Sequence, residues 1–307
     1  MPASSLALLV LLAAIWGASF LCMRIAAPEF GVPALIALRL VIATLVLLPF
    51  LSKANISAMR SHWRQLLLLG AINSAVPFCL LAFTTKTLSA GLPSIINATV
   101  PFFAALVAWA WFREKPSRKG VLGLVVGFAG VVVLVWPKLW AGLSAGLLAG
   151  PTTATPPAAG ELAVPPHAAL AVGTGLLAAA LYATSAHYTK RALSQVPSMA
   201  IAIGGTAWAM LLMLPIGLTN LPTELPSTRA WAFAAMLGAV CTGFAYVIFY
   251  RLFATIGATK AVTVTFLIPV FGVLWGTVFL HEPLTLNLLL GGTLVLIGMA
   301  VMTRAKK

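Results

Sequence analysis

Pro101–Gly130 reads PFFAALVAWAWFREKPSRKGVLGLVVGFAG, and Pro269–Gly298, 168 positions later, reads PVFGVLWGTVFLHEPLTLNLLLGGTLVLIG. The two align without a gap, pairing Pro101 with Pro269, Phe103 with Phe271, Glu114 with Glu282, Gly123 with Gly291 and Gly130 with Gly298. The same offset pairs Gly70 with Gly238. In a chain rich in Leu, Ala and Val most identities carry little weight, but Pro, Glu and two Gly in one register indicate an internal duplication. Each stretch is two apolar runs around a short polar break. The break Arg113–Lys119 holds four basic residues and its counterpart His281–Asn287 holds none. Lys and Arg resist translocation, so the first break belongs in the cytoplasm and its copy outside. The second unit is therefore expected upside down relative to the first.

Composition says what surrounds these units. Of 307 residues 61% are hydrophobic and only 8% charged, with a mean hydropathy of +1.06. That excludes a water-soluble globule, in which about a quarter of residues are charged. Ten apolar runs follow: Leu6 to Ala26, Ala34 to Leu51, Leu66 to Thr84, Ala90 to Phe112, Val121 to Trp136, Ala168 to Thr189, Met199 to Leu218, Ala230 to Tyr250, Ala258 to Leu280 and Leu284 to Met302. Each approaches the length that crosses about 30 Å of hydrocarbon. They lack the alternation of barrel strands, so every backbone group must be satisfied within a helix. The fold class is all-α and polytopic, with ten transmembrane helices as two inverted five-helix repeats. The expected organisation is a first repeat at 1–137, a Pro-, Gly- and Ala-rich external linker at 138–167, flexible or partly membrane-associated, and a second repeat at 168–307.

The net charge is +14, from 19 Lys+Arg against 5 Glu and no Asp. Such a basic chain would suggest nucleic acid if it were soluble, but here the charges sit in short breaks that form no groove. Topogenesis and anionic lipid account for them, and no nucleic-acid partner is expected. Fourteen Lys and Arg fall in the even breaks and the C-terminus, four (Arg24, Lys86, Lys138, Arg229) in the odd ones. Both termini are thus expected in the cytoplasm. Met1–Ser5 carries no basic residue, so the first run reads as a retained helix rather than a cleaved signal. Cys22, Cys79 and Cys241 show neither disulfide nor zinc-ligand spacing.

The layout resembles the drug/metabolite transporter superfamily, EamA type. The resemblance rests on the two five-helix repeats, the opening Trp16-Gly17-Ala18-Ser19-Phe20, Arg39 within Ala37-Leu38-Arg39-Leu40, and the repeated pattern of Pro, apolar stretch, Glu and Gly-spaced helix. It covers nearly the whole chain except the linker. It implies a carrier working by alternating access in a membrane, expected to be a bacterial inner membrane. Small-molecule solute and lipid are the expected partners.

Polar groups in hydrocarbon are costly and face the bundle interior. Arg39 lies about 9 Å from the outer end of the second run by helical rise. It reads as an anchor for a substrate carboxylate, or as a structural group donating to carbonyls or snorkelling outward. Asn73, Asn97 and Thr265 accompany helix-breaking prolines, and each Pro frees a carbonyl one turn back. Pro101 and Pro269, the repeat-matched pair, are candidate gating hinges or simple packing kinks. Trp16, Phe78, Tyr182 and Tyr246 sit at mid-run. Phe78 matches Tyr246 at 168 and Trp16 matches Tyr182 at 166, which suits either core packing or the walls of a solute cavity. His187 is a proton-coupling candidate or a surface contact beside Lys190 and Arg191. Glycines at 123, 127, 291, 292 and 298 read as close helix contacts.

All five Glu fall at run ends or in loops, so no carboxylate relay is expected at mid-membrane. No HExxH, Gly-x-Ser-x-Gly or P-loop is present, so no catalytic residue, metal or cofactor is expected. Because the family it resembles includes amino-acid exporters and the embedded charge is positive, the first functional reading is a secondary active or facilitative exporter of small metabolites, amino acids or related zwitterions foremost. The alternatives are an exporter of lipophilic or cationic drugs and, behind it, a non-transporting membrane protein.

Overall fold

The computed structural model describes residues 2–113, 115, 117–148, 167–261 and 263–304. They form an all-helical bundle of ten principal helices: α1 (Ala3–Phe30), α2 (Val32–Phe50), α3 (Trp63–Thr87), α4 (Gly91–Trp111), α5 (Arg118–Leu148), α6 (Ala168–Ala192), α7 (Ser198–Leu218), α8 (Thr228–Ile256), α9 (Val264–Leu280) and α10 (Leu286–Arg304). Eight of these are long and apolar enough to cross a membrane, while α9 and the apolar part of α10 are shorter apolar helices. Large apolar side chains such as Leu45, Trp111, Val125 and Leu289 point outward, as a lipid solvent allows.

The helices depart from the apolar runs at three places. The chain enters α9 through a separate turn, Ala258–Ala261, rather than as one run from Ala258. α5 continues past Trp136 to Leu148, so the start of the expected linker is helical; its residues 149–166 lie outside the described residues. A short amphipathic helix, Lys53–Ser61, precedes α3, and Ser52 Oγ caps it by accepting from the Asn55 N–H.

The two halves are related by an approximate twofold exchange. Cβ atoms placed on Gly123 and Gly298 would meet the other helix's backbone at 2.6 and 2.5 Å, and those on Gly130 and Gly291 would do so at 2.7 Å. Position 123 is the repeat mate of 291, and 130 of 298. The α5–α10 seam is therefore its own image, and the two helices run antiparallel. Arg113 and His281, also 168 apart, both end their helices in the left-handed region, at φ 55° and 53°. Glu282 contacts the first residues of α4, the end opposite Arg113. Breaks four and nine thus lie at opposite ends of the bundle, as the inverted repeat requires.

A second symmetric feature has no counterpart in the sequence reading. α3 and α8 each contain one π-helical turn, at Ala71–Ala75 and Ala239–Phe244, and their first residues are 168 apart. Each follows a glycine pressed on a neighbouring helix. Gly70 lies against Gly205 and Ala209 of α7, and Gly238 against Arg39 and Ile42 of α2. A π turn admits an extra residue per turn and leaves its ladder locally open.

Candidate functional site

The π turns project polar residues into the centre of the bundle. In α8, Thr242 donates to Leu237 O, five residues back, at 2.8 Å. Its hydroxyl oxygen accepts from Arg39 Nε at 2.9 Å. Arg39 is buried, at 4% exposure, and its guanidinium carbon stands 3.6 Å above the centre of the Phe78 ring. Arg39 Nη1 also contacts Met23 Sδ at 3.8 Å. The side chains of Tyr182, Tyr246, Cys241, Cys22 and Cys79 lie close around it. Every one of these neighbours is formally neutral. Among the described residues no carboxylate partners Arg39, although a desolvated cation is costly without a counter-charge.

Most positions around Arg39 come in repeat pairs. In α3, Asn73 Oδ1 accepts from the Ser185 hydroxyl of α6 at 2.8 Å. In the mirrored place Cys241 of α8 faces Ser19 of α1. Thr242 mirrors Ser74, and Tyr246, which interacts with Ser74 and Asn73, mirrors Phe78. Arg39 breaks the symmetry. The backbone carbonyl of Arg39 packs on Gly238 as that of Gly205 packs on Gly70, so its counterpart is a glycine. One half supplies a fixed positive charge, and the other has no side chain at the matching position.

The structure brings together Arg39, Asn73, Phe78, Tyr182 and Tyr246 of the expected site. Trp16 packs at its edge, its ring 5.4 Å from that of Phe249. Asn97 ends the first segment of α4, with a buried Oδ1 that has no hydrogen-bond partner among the described residues. Thr265 is half-buried in the first turn of α9. His187 lies away from the centre, Nε2 at 2.9 Å from Ala104 O, on the contact between α6 and α4. Pro101 follows a break at Ala98–Thr99 and opens the second segment of α4, whereas Pro269 sits buried inside α9. Two surface hollows lie elsewhere: an apolar groove of about 600 Å³ between the start of α1 and Trp275, and one of about 520 Å³ between Pro28–Gly31 and Asn220–Pro226.

Sequence reasoning missed Thr242, Ser185 and the cysteines. All three thiols of the chain belong to this centre: Cys22 beside Cys241, and Cys79 donating to Met213 Sδ at 3.8 Å. For Thr242 and Cys241 the usable signal was the offset of 168, which lines them up with Ser74 and Asn73.

Comparison with known proteins agrees with this architecture. The profile described as the EamA-like transporter family matches residues 3–136 and again 169–304. The chain is 27% identical over 315 residues to an uncharacterized transporter, YvbV, of Bacillus subtilis (strain 168), covering 98% of this chain and 92% of that protein. It is 25% identical over 308 residues to an uncharacterized transporter of Archaeoglobus fulgidus, covering 97% and 98%. A solved crystal structure matches its fold at a TM-score of 0.59 with 18% identity, over 97% of this chain and 96% of the other.

Proposed function

The chain belongs to the EamA-like transporter family, and on that premise we propose that it exports small zwitterionic metabolites, amino acids first among them, by alternating access. The observation that carries this reading is the buried Arg39 guanidinium, surrounded among the described residues by neutral groups only. A solute carboxylate supplies the missing counter-charge, and the planar fork of Arg suits two-point binding. Tyr182, Tyr246, Phe78 and Trp16 offer ring faces and hydroxyls to the rest of the solute, while Asn73 adds an amide. The same guanidinium opposes export of lipophilic cations, which it would repel.

In this reading both termini are cytoplasmic in a bacterial inner membrane, and solute enters from that face. Asn97 and Thr265 line the route from opposite halves. The break before Pro101 and the buried Pro269 act as hinges for α4 and α9. His187, at the α6–α4 contact, is the site where a proton gradient couples to the motion. Uptake into inverted vesicles or proteoliposomes is the test. We expect accumulation of radiolabelled amino acids that related monocarboxylates compete away. No transport of any amino acid or zwitterion across a broad panel, by protein that remains folded, overturns the reading.

A further inference from the structure

Two carboxylates reach across the boundary between the repeats at one end of the bundle. Glu282, just past α9 in the second half, accepts from the backbone N–H of Ala90 at 2.7 Å and of Gly91 at 3.3 Å, where α4 begins in the first half. Glu29, near the end of α1 in the first half, accepts from the Ser227 N–H at 2.6 Å and the Ser227 hydroxyl at 2.9 Å. Ser227 caps the start of α8 in the second half, its hydroxyl oxygen accepting from the Ala230 N–H. Arg24 of α1 closes the same end from within its own half by donating to the carbonyls of Thr85 and Lys86.

The local structure is shaped for the Glu282 contact. His281 turns the chain at φ 53°, and the Glu282 N–H returns to Gly276 O, so the carboxylate folds back along α9. Gly276 leaves the room: a Cβ there would stand 2.5 Å from Glu282 Oε2. An ionised carboxylate receiving backbone N–H groups makes stronger hydrogen bonds than a neutral acceptor does. When two halves rock about a midplane site, contacts that bridge them at one end must break for that end to open.

We propose that Glu282 and Glu29 form a two-point latch that holds this end of the pathway shut, and that its release exposes the Arg39 centre to the adjoining solution. The proposal rests on the carrier reading but not on the identity of the solute. The three native cysteines are built-in reporters, because all of them lie in the centre beneath the latch.

The experiment follows their labelling by a membrane-impermeant maleimide in right-side-out and inverted vesicles. It compares the parent with Glu282→Ala, the double variant Glu29→Ala/Glu282→Ala, and Gly276→Ala. The last displaces the Glu282 carboxylate without removing it, and so tests the latch even where loss of the carboxylate prevents folding. Glu224→Ala, in the loop at the same end, is the control. We expect labelling to rise roughly tenfold or more, as loss of one charge-assisted bond implies, from one face only, with the double variant fastest. Unchanged rates in variants that melt like the parent, or an equal rise from both faces, overturn the latch. Because labelling needs no solute, an absence of amino-acid transport leaves this result standing.

Discussion

At the scale of single residues, the geometry of the guanidinium matters as much as its charge. Arg39→Lys keeps a cation but loses the Nε bond to Thr242 and the flat stacking on Phe78. We expect a folded protein whose transport falls about tenfold or more, measured in vesicles at matched expression. Thr242→Val leaves Nε unpaired at a cost of about 1–3 kcal/mol. It should weaken apparent solute affinity, and Thr242→Ser should restore it; equal affinity in the Val and Ser variants would show that the hydroxyl does not position Arg39. The interior placement of Arg39, Tyr182 and Tyr246 was legible because charge and aromatic hydroxyls are expensive in hydrocarbon, and that of Phe78 because it is the mate of Tyr246 at an offset of 168. That of Thr242 and the cysteines was not. A Thr in a helix usually satisfies itself on a carbonyl one turn back, and the Arg39 contact spans 203 positions of sequence.

At the scale of elements, small residues set how closely helices approach, and the π turns set which side chains reach the centre. Gly123→Ala would force a Cβ to 2.6 Å from Gly298 O, and the opposing backbone cannot swing aside as a side chain can. The expected loss is about 1–3 kcal/mol, read as a lower midpoint of thermal unfolding in detergent. Gly173→Ala, in α6 with nothing within 4 Å, should instead gain roughly 0.4–1 kcal/mol by restricting the unfolded chain. Similar midpoints for the two variants would remove the close-packed seam as a source of stability. The seam glycines were readable from their spacing. The π turns were not, because no residue pattern marks a turn of five against one of four. Each begins directly after a glycine, Gly70 or Gly238, lodged on α7 or α2.

For the whole molecule, the exchange of halves makes a direct prediction about sidedness. In a protein with Cys22, Cys79 and Cys241 replaced by Ser, single cysteines at Ser117→Cys and Asn287→Cys should label from opposite faces of sealed vesicles. Labelling of both from one face would end the inverted arrangement. Apolar runs, the Pro–Glu–Gly register and the bias of Lys and Arg were enough to give the helical class, the duplication and its inversion. Those follow from what hydrocarbon excludes and from which charges fail to cross it, and both are properties of local sequence. Which polar groups meet was settled only by packing. Arg39 finds Thr242, and Glu282 finds Ala90, through helix contacts that bring distant residues together. No local preference specifies that encounter, because its energy exists only once both helices are in place.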